Sequence, residues 1–107
     1  MRDRRSDTPA EIQYSAIIEE IVQIYALESA LVHAVVSAES AYNATVVSKK
    51  SAAGLMPLMP GTARRYSVTG RFDPVQNLHA GAKYLGDLLR MFNLYGFNSP
   101  PLGAKAG

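Results

Sequence analysis

Three stretches of this sequence place their apolar residues at intervals of three and four, the spacing of one helical face rather than of a strand. The first carries Tyr14, Ile17, Ile18, Ile21, Val22 and Tyr25. Thr8-Pro9-Ala10-Glu11 stands ahead of it and reads as a helix start: a hydroxyl to cap, a proline where no backbone donor is needed, and a glutamate three residues after the cap. Helix is therefore expected from Pro9 to about Ala26. The second stretch begins near Ser29, passes Leu31, Val32, Val35 and Val36, reaches Glu39 and is expected to end around Asn43 or Ala44. Its β-branched valines lower helix propensity, but the spacing outweighs them. In the third, Asp73-Pro74-Val75-Gln76 repeats the logic of the first start, and Leu78, Ala82, Leu85, Leu88, Leu89 and Phe92 form the expected buried stripe of a helix running to about Phe92.

Between these helices the pattern is irregular. Gly54, Pro57 and Pro60 punctuate residues 45–61, so a structured loop is expected there, with a short helix over Thr62 to Tyr66. No segment alternates like a strand, and the expected class is all-α. With 107 residues, 48% of them hydrophobic, the chain has enough apolar surface for one core. The organisation that follows is a polar tail over residues 1–8, a helical domain over 9–93 and an irregular Pro/Gly-rich tail over 94–107.

Composition narrows the function further. A net charge of +2, without a basic stripe, argues against a nucleic-acid partner. Zero cysteines exclude disulfides, thiolate metal sites and a cysteine nucleophile, and leave the compartment open. No window approaches the roughly 18 apolar residues of a membrane span, and Met1 to Thr8 lacks the apolar core of a signal peptide.

One residue does not fit a plain amphipathic helix. Glu39 lies seven residues after Val32, four after Val35 and three after Val36, so it falls along the apolar stripe. A carboxyl held there loses hydration, which favours its protonated form, and a protonated carboxyl can donate to a leaving-group oxygen. The plainer reading is that the helix ends there and Glu39 reaches solvent at the margin of the stripe; periodicity alone favours it. No second carboxylate is clearly placed to partner Glu39. His33 and His79 lack a metal-ligand pattern and read as surface or partly packed residues. Leu55, Met56, Leu58 and Met59 read from spacing alone as a hydrophobic plug, the other reading being a groove wall that fits sugar rings. Neither a metal nor an organic cofactor is expected.

Glu39-Ser40, then Ser48, then the run from Ala52-Ala53-Gly54-Leu55-Met56 through Pro57-Leu58-Met59-Pro60-Gly61-Thr62-Ala63 resembles the lytic transglycosylase domain of glycoside hydrolase family twenty-three, of the bacterial soluble type. The likeness covers about Tyr14 to Phe92 and includes Tyr42-Asn43, Phe72-Asp73-Pro74, Asn77-Leu78 and Tyr84-Leu85. It implies a lysozyme-like helical fold that cleaves the β-1,4 bond between N-acetylmuramic acid and N-acetylglucosamine in peptidoglycan. Glu39 matches the single acid/base of the family. The substrate's acetamido group stabilises the cationic intermediate there and its 6-hydroxyl replaces water, leaving a 1,6-anhydro product, outside the two-carboxylate rule. Ser40 matches the serine of the first motif, Ser48 a substrate-positioning serine, and Met56 and Met59 apolar groove residues.

Two departures set the expectations apart from the family pattern. Pro57 stands where the family has glutamine and offers neither an amide side chain nor a backbone donor. The Ala-Tyr-Asn-Ala-Gly motif has only a faint echo in Gly96-Phe97-Asn98-Ser99, so a domain truncated or altered after Phe92, lacking its C-terminal helices, is expected. The alternative function is a degenerate module that holds glycan strands without cutting them; a purely structural helical partner in an envelope assembly is a third. By family analogy the address is the bacterial periplasm or envelope, where a protein partner would supply a missing groove wall.

Overall fold

The computed structural model describes residues 10–94. It contains four helices: α1 (Ala10–Tyr25), α2 (Ser29–Ser40), α3 (Pro60–Arg65) and α4 (Pro74–Leu94). The fold is all-α, as the periodicity requires; the only strand-like features among the described residues are two isolated antiparallel bridges, Val47 with Ala53 and Ala53 with Leu58. α1 packs against both α2 and α4. Ile18, Ile21 and Val22 from α1, Val32 and Val36 from α2, and Leu78 and Ala82 from α4 close around Leu55 and Met56 of the long loop. A smaller cluster of Leu58, Ala63 and Ala80 fixes α3 to α4.

Each helix end has a local cause. Ala26 turns left-handed (φ 55), and the Leu27 N–H reaches back 3.0 Å to the Val22 carbonyl, stopping α1 while Leu27 packs on the core. α2 stops three to four residues before the expected Asn43 or Ala44. Ala41 and Tyr42 both adopt positive φ (51 and 59), and the Ala41 N–H closes on the Ser37 carbonyl at 3.0 Å. Pro60 does not prevent a helix but opens one: it occupies the first turn of α3, where a missing N–H costs nothing. Ser67 (φ 61) ends α3, with the Ser67 and Val68 N–H groups bonding the Arg64 and Ala63 carbonyls. At α4 the Asp73 carboxylate accepts the Val75 N–H at 3.0 Å, and the Gln76 amide oxygen accepts from Thr69 and Gly70, tying the turn to the helix it precedes.

The expected stripe of α4 is buried only in its first half. Leu78 and Ala82 are buried, Leu85, Leu88 and Leu89 are half-buried, and Phe92 is 51% exposed. Helix length explains this: at 1.5 Å per residue the 21 residues of α4 extend about 32 Å against about 24 Å for α1, so its last turns outrun their partner. No helix among the described residues is long and apolar enough to cross a membrane. The expected cap at Thr8 and the tail after residue 94 lie outside the described residues.

α3 is also joined to α4 by Tyr66, whose hydroxyl donates to the Asp87 carboxylate. That bond, reinforced by desolvation, raises the phenol above its ordinary value of 10.0. A raised folded-state value contributes stability that is fully present below about pH 10 and lost as pH climbs through the shifted value. Tyr66→Phe is therefore expected to cost about 1 kcal/mol at neutral pH, and its deficit against the parent should shrink above about pH 10, as followed by urea unfolding across that range.

Candidate functional site

The long loop between α2 and α3 is held by its own backbone and by two side chains from later in the chain. Ala53 and Leu58 exchange N–H to carbonyl bonds in both directions, at 3.0 and 2.9 Å. Asn77, fully buried in the first turns of α4, accepts the Met56 N–H at 2.7 Å and donates its amide hydrogens to the Ala53 and Met56 carbonyls, both at 3.1 Å. The Arg71 guanidinium donates to the Leu58 carbonyl at 2.8 Å and also to the Ser51 carbonyl. The whole Leu55–Leu58 segment is thereby pinned against α4 at a defined height. Gly54 (φ 101) and Gly81 permit the approach; a Cβ on Gly81 would lie 2.6 Å from the Met56 Cβ.

This segment forms one wall of an open groove of about 370 Å³. The groove is lined by Met56, Pro57 and Leu58 of this segment, Gly81, Tyr84, Leu85 and Leu88 of α4, and Val35 and Glu39 of α2. Glu39 is the one carboxylate among the lining residues. Contrary to the stripe reading, and as the plainer reading expects, its side chain is exposed: α2 stops at the very next residue, and none of the described residues buries Glu39. It makes no hydrogen bond or ion pair among the described residues, so its oxygens are available to a ligand in the groove.

The other candidates separate. Met56 is buried at 5% exposure and lies in both the core and the groove wall, combining the plug and wall readings of that segment. Ser40 is turned inward: it is 5% exposed and its hydroxyl donates to the Val36 carbonyl at 2.9 Å, which makes it a poor sugar contact. Ser48 is exposed, but its hydroxyl oxygen accepts the Ala52 and Lys50 N–H groups at 3.0 and 3.2 Å and it does not line the groove. Met59 is 43% exposed beside α3 and is likewise outside it. The walls that periodicity assigned to the core are Leu85 and Leu88. Tyr84 and Asn77 were legible only as part of the family likeness, since a lone buried amide leaves no periodic signature.

The histidines sit in hydrogen-bonded pairs: His33 Nδ1 with the Tyr42 hydroxyl at 2.8 Å, and His79 Nδ1 with the Tyr25 hydroxyl at 3.0 Å. Burial, and after it the charge of Glu11, pushes the Tyr42 phenol up. Among the described residues no cluster of three or more histidine or acidic side chains is arranged to hold a metal.

Comparison with known proteins brings in sequence and structural relatives. Residues 16–99 match the family model described as the transglycosylase SLT domain. A transglycosylase of Enterobacteria phage PRD1 is 45% identical over 65 residues, covering 61% of this chain and 24% of the phage protein. The membrane-bound lytic murein transglycosylase C of Haemophilus ducreyi is 31% identical over 99 residues, covering 82% of this chain and 27% of its own length. An inactive glutamate-to-glutamine mutant of the lytic transglycosylase Slt from Pseudomonas aeruginosa superposes with a TM-score of 0.65 at 29% identity, over 73% of this chain and 14% of that one. The chain thus spans about a quarter of the length of the curated relatives it matches.

Proposed function

Because this chain belongs to the transglycosylase SLT domain family, we propose that it is a lytic transglycosylase domain acting on the glycan strands of peptidoglycan, with Glu39 as its sole acid and base. The observation that carries this reading is the carboxyl of Glu39, unpaired among the described residues, in the lining of a groove otherwise built of apolar and aromatic residues. Pyranose rings present apolar faces to such walls and polar edges to solvent, and the glycosidic oxygen between two rings lies along the same line.

The chemistry requires one proton to move twice. A sugar ring seated over Glu39 displaces the water around the carboxyl, and loss of hydration favours the proton-bearing form while the groove is filled. Glu39 donates that proton to the bridging oxygen, and the bond from this oxygen to C1 of the muramic residue breaks. The acetamido carbonyl oxygen of the same residue attacks C1 and holds the positive charge, so no second protein carboxylate is needed. The Glu39 carboxylate then takes the proton of the 6-hydroxyl, whose oxygen displaces the acetamido oxygen from C1 and closes the 1,6-anhydro ring. Water is not consumed, and Glu39 ends protonated, as it began. The names of the murein relatives support the substrate class, and a place at the bacterial envelope follows from that substrate.

Incubation of the protein with purified peptidoglycan sacculi tests the proposal through soluble muropeptides in the supernatant. Sedimentation with sacculi and no soluble product would support the holding module instead. Pro57 supplies a second test, since it lines the groove where the family has an amide. Pro57→Gln adds a donor and an acceptor to that wall and is expected to raise kcat/KM about threefold to tenfold, the worth of one good hydrogen bond; a fall in kcat/KM would mean that the pyrrolidine ring itself is the sugar contact.

A further inference from the structure

The stop of α2 that leaves Glu39 open is made without glycine. Ala41 and Tyr42 follow one another in the left-handed region, at φ 51 and 59, where a Cβ crowds the following carbonyl and persists only when surrounding contacts over-determine it. The turn supplies two backbone bonds of its own, from the Ala41 N–H to the Ser37 carbonyl at 3.0 Å and from the Asn43 N–H to the Ser40 carbonyl at 2.9 Å. The rest comes through Tyr42. Its ring is buried in the main core cluster, and its hydroxyl meets His33 twice: it donates to the His33 carbonyl at 3.2 Å and lies 2.8 Å from Nδ1, whose N–H it can accept. The other ring nitrogen, Nε2, lies 3.4 Å from the Glu19 carboxylate of α1, and the Ser29 hydroxyl donates to the same carboxylate oxygen. His33 is thus held by α1 on one side and itself holds the end of α2 on the other. Neither His33 nor Tyr42 lines the groove, so neither is placed to touch a ligand in it.

We propose that His33 and Tyr42 are positioning residues for the acid: the contact between them holds the left-handed stop of α2 and so keeps the Glu39 carboxyl presented to the groove. This rests on the acid role given to Glu39 above, but the backbone it describes is measurable without cleavage. Loss of the contact lets the end of α2 sample other conformations, and the carboxyl is then correctly placed for only a fraction of the time. The maximal rate falls with that fraction. Binding does not, because the long loop and α4 supply most of the groove lining.

Three single substitutions in the full chain separate positioning from general support. Tyr42→Phe removes only the hydroxyl. His33→Gln sets an amide near the place of Nε2, keeping a donor for Glu19 and losing Tyr42, whereas His33→Asn sets one near the place of Nδ1, keeping a donor for Tyr42 and losing Glu19. Amide hydrogen exchange followed by NMR reads the stop itself. The Ala41 and Asn43 amides are expected to exchange about threefold to tenfold faster in Tyr42→Phe and His33→Gln, the worth of one hydrogen bond, and near the parental rate in His33→Asn. The maximal rate of fragment release from sacculi should fall by a similar factor in the first two and stay within about twofold of the parent in the third, with sedimentation on sacculi unchanged in all. A merely structural role would make the glutamine and asparagine variants alike. Equal rates for those two, or unchanged exchange at Ala41 and Asn43 in Tyr42→Phe, would overturn the proposal. Should Tyr42→Phe fail to fold, the two His33 variants decide, since that side chain is partly exposed. A parent that releases no fragments would sink the acid role of Glu39 while exchange still reports the His33–Tyr42 contact; full release despite faster exchange would sink the positioning role alone.

Discussion

Glu39→Gln is expected to lower the release of soluble fragments from sacculi by about a thousandfold, the usual scale for loss of a positioned general acid. The amide has nearly the same shape as the carboxyl but can neither deliver a proton to the bridging oxygen nor accept one from the 6-hydroxyl, so both halves of the reaction fail together. Structure and binding should survive. Glu39 is exposed and makes no hydrogen bond or ion pair among the described residues, and a substitution of that kind usually alters stability by less than about 0.5 kcal/mol. The expected signature is therefore a normal melting curve, normal sedimentation with sacculi and no fragments. Glu39→Asp, which withdraws the carboxyl by one methylene, should retain some activity at a loss of about a hundredfold, because proton transfer is sensitive to misplacement by about an ångström. A glutamine variant that still cuts at near-parental rates would transfer the acid role to another group.

The largest effect on stability is expected at Asn77, a residue that touches no substrate. Asn77→Ala strands two buried backbone groups, the Met56 N–H and the Met56 carbonyl, leaves the Ala53 carbonyl with only its bond from the Leu58 N–H, and opens a void where the side chain was. At about 1–3 kcal/mol for each unpaired buried group, partly relieved by relaxation and water entry, the loss should be about 3–5 kcal/mol. That is a large share of the 5–15 kcal/mol that holds a typical small domain together. Asn77→Asp should fare no better than alanine when ionised, since it sets a carboxylate oxygen against two carbonyls. Gly54→Ala attacks the same joint from the other side, because its Cβ would fall on the Asn77 amide and the Arg71 carbonyl at a φ of 101. Urea unfolding measures both substitutions. A loss below about 1 kcal/mol for Asn77→Ala would show that the loop is held chiefly by its apolar contacts.

These two sites mark where sequence reasoning succeeds and where it stops. Periodicity located three of the four helices because burial on one face of a helix repeats every three to four residues, and Ile18, Ile21, Val32, Val36, Leu78 and Ala82 do lie in the core. It misplaced the end of α2 because Ala41 and Tyr42 enter left-handed backbone without the glycine that normally announces it. That error bears directly on the site: a helix continuing to Asn43 would have flanked Glu39, whereas the observed stop leaves it open. Leu88 reads as core because a stripe does not reveal how far its partner helices extend, and it lines a groove, whereas Leu85 lines the groove and still packs against the core. Ser40, Ser48 and Met59 entered through family likeness, which aligns residues but does not say which way a side chain turns. Ser40 turns inward, and Ser48 and Met59 lie beyond the groove. Asn77 leaves no mark in the pattern, because its importance comes from contacts with residues 21 and 24 positions earlier.

The mass of the muropeptides released from sacculi tests the central claim most directly. Transglycosylation through Glu39 and the 6-hydroxyl should leave every new muramic end lighter by one water than a hydrolysed end and resistant to borohydride reduction. Reducible ends at the full hydrolytic mass would show that water is the nucleophile and contradict the account.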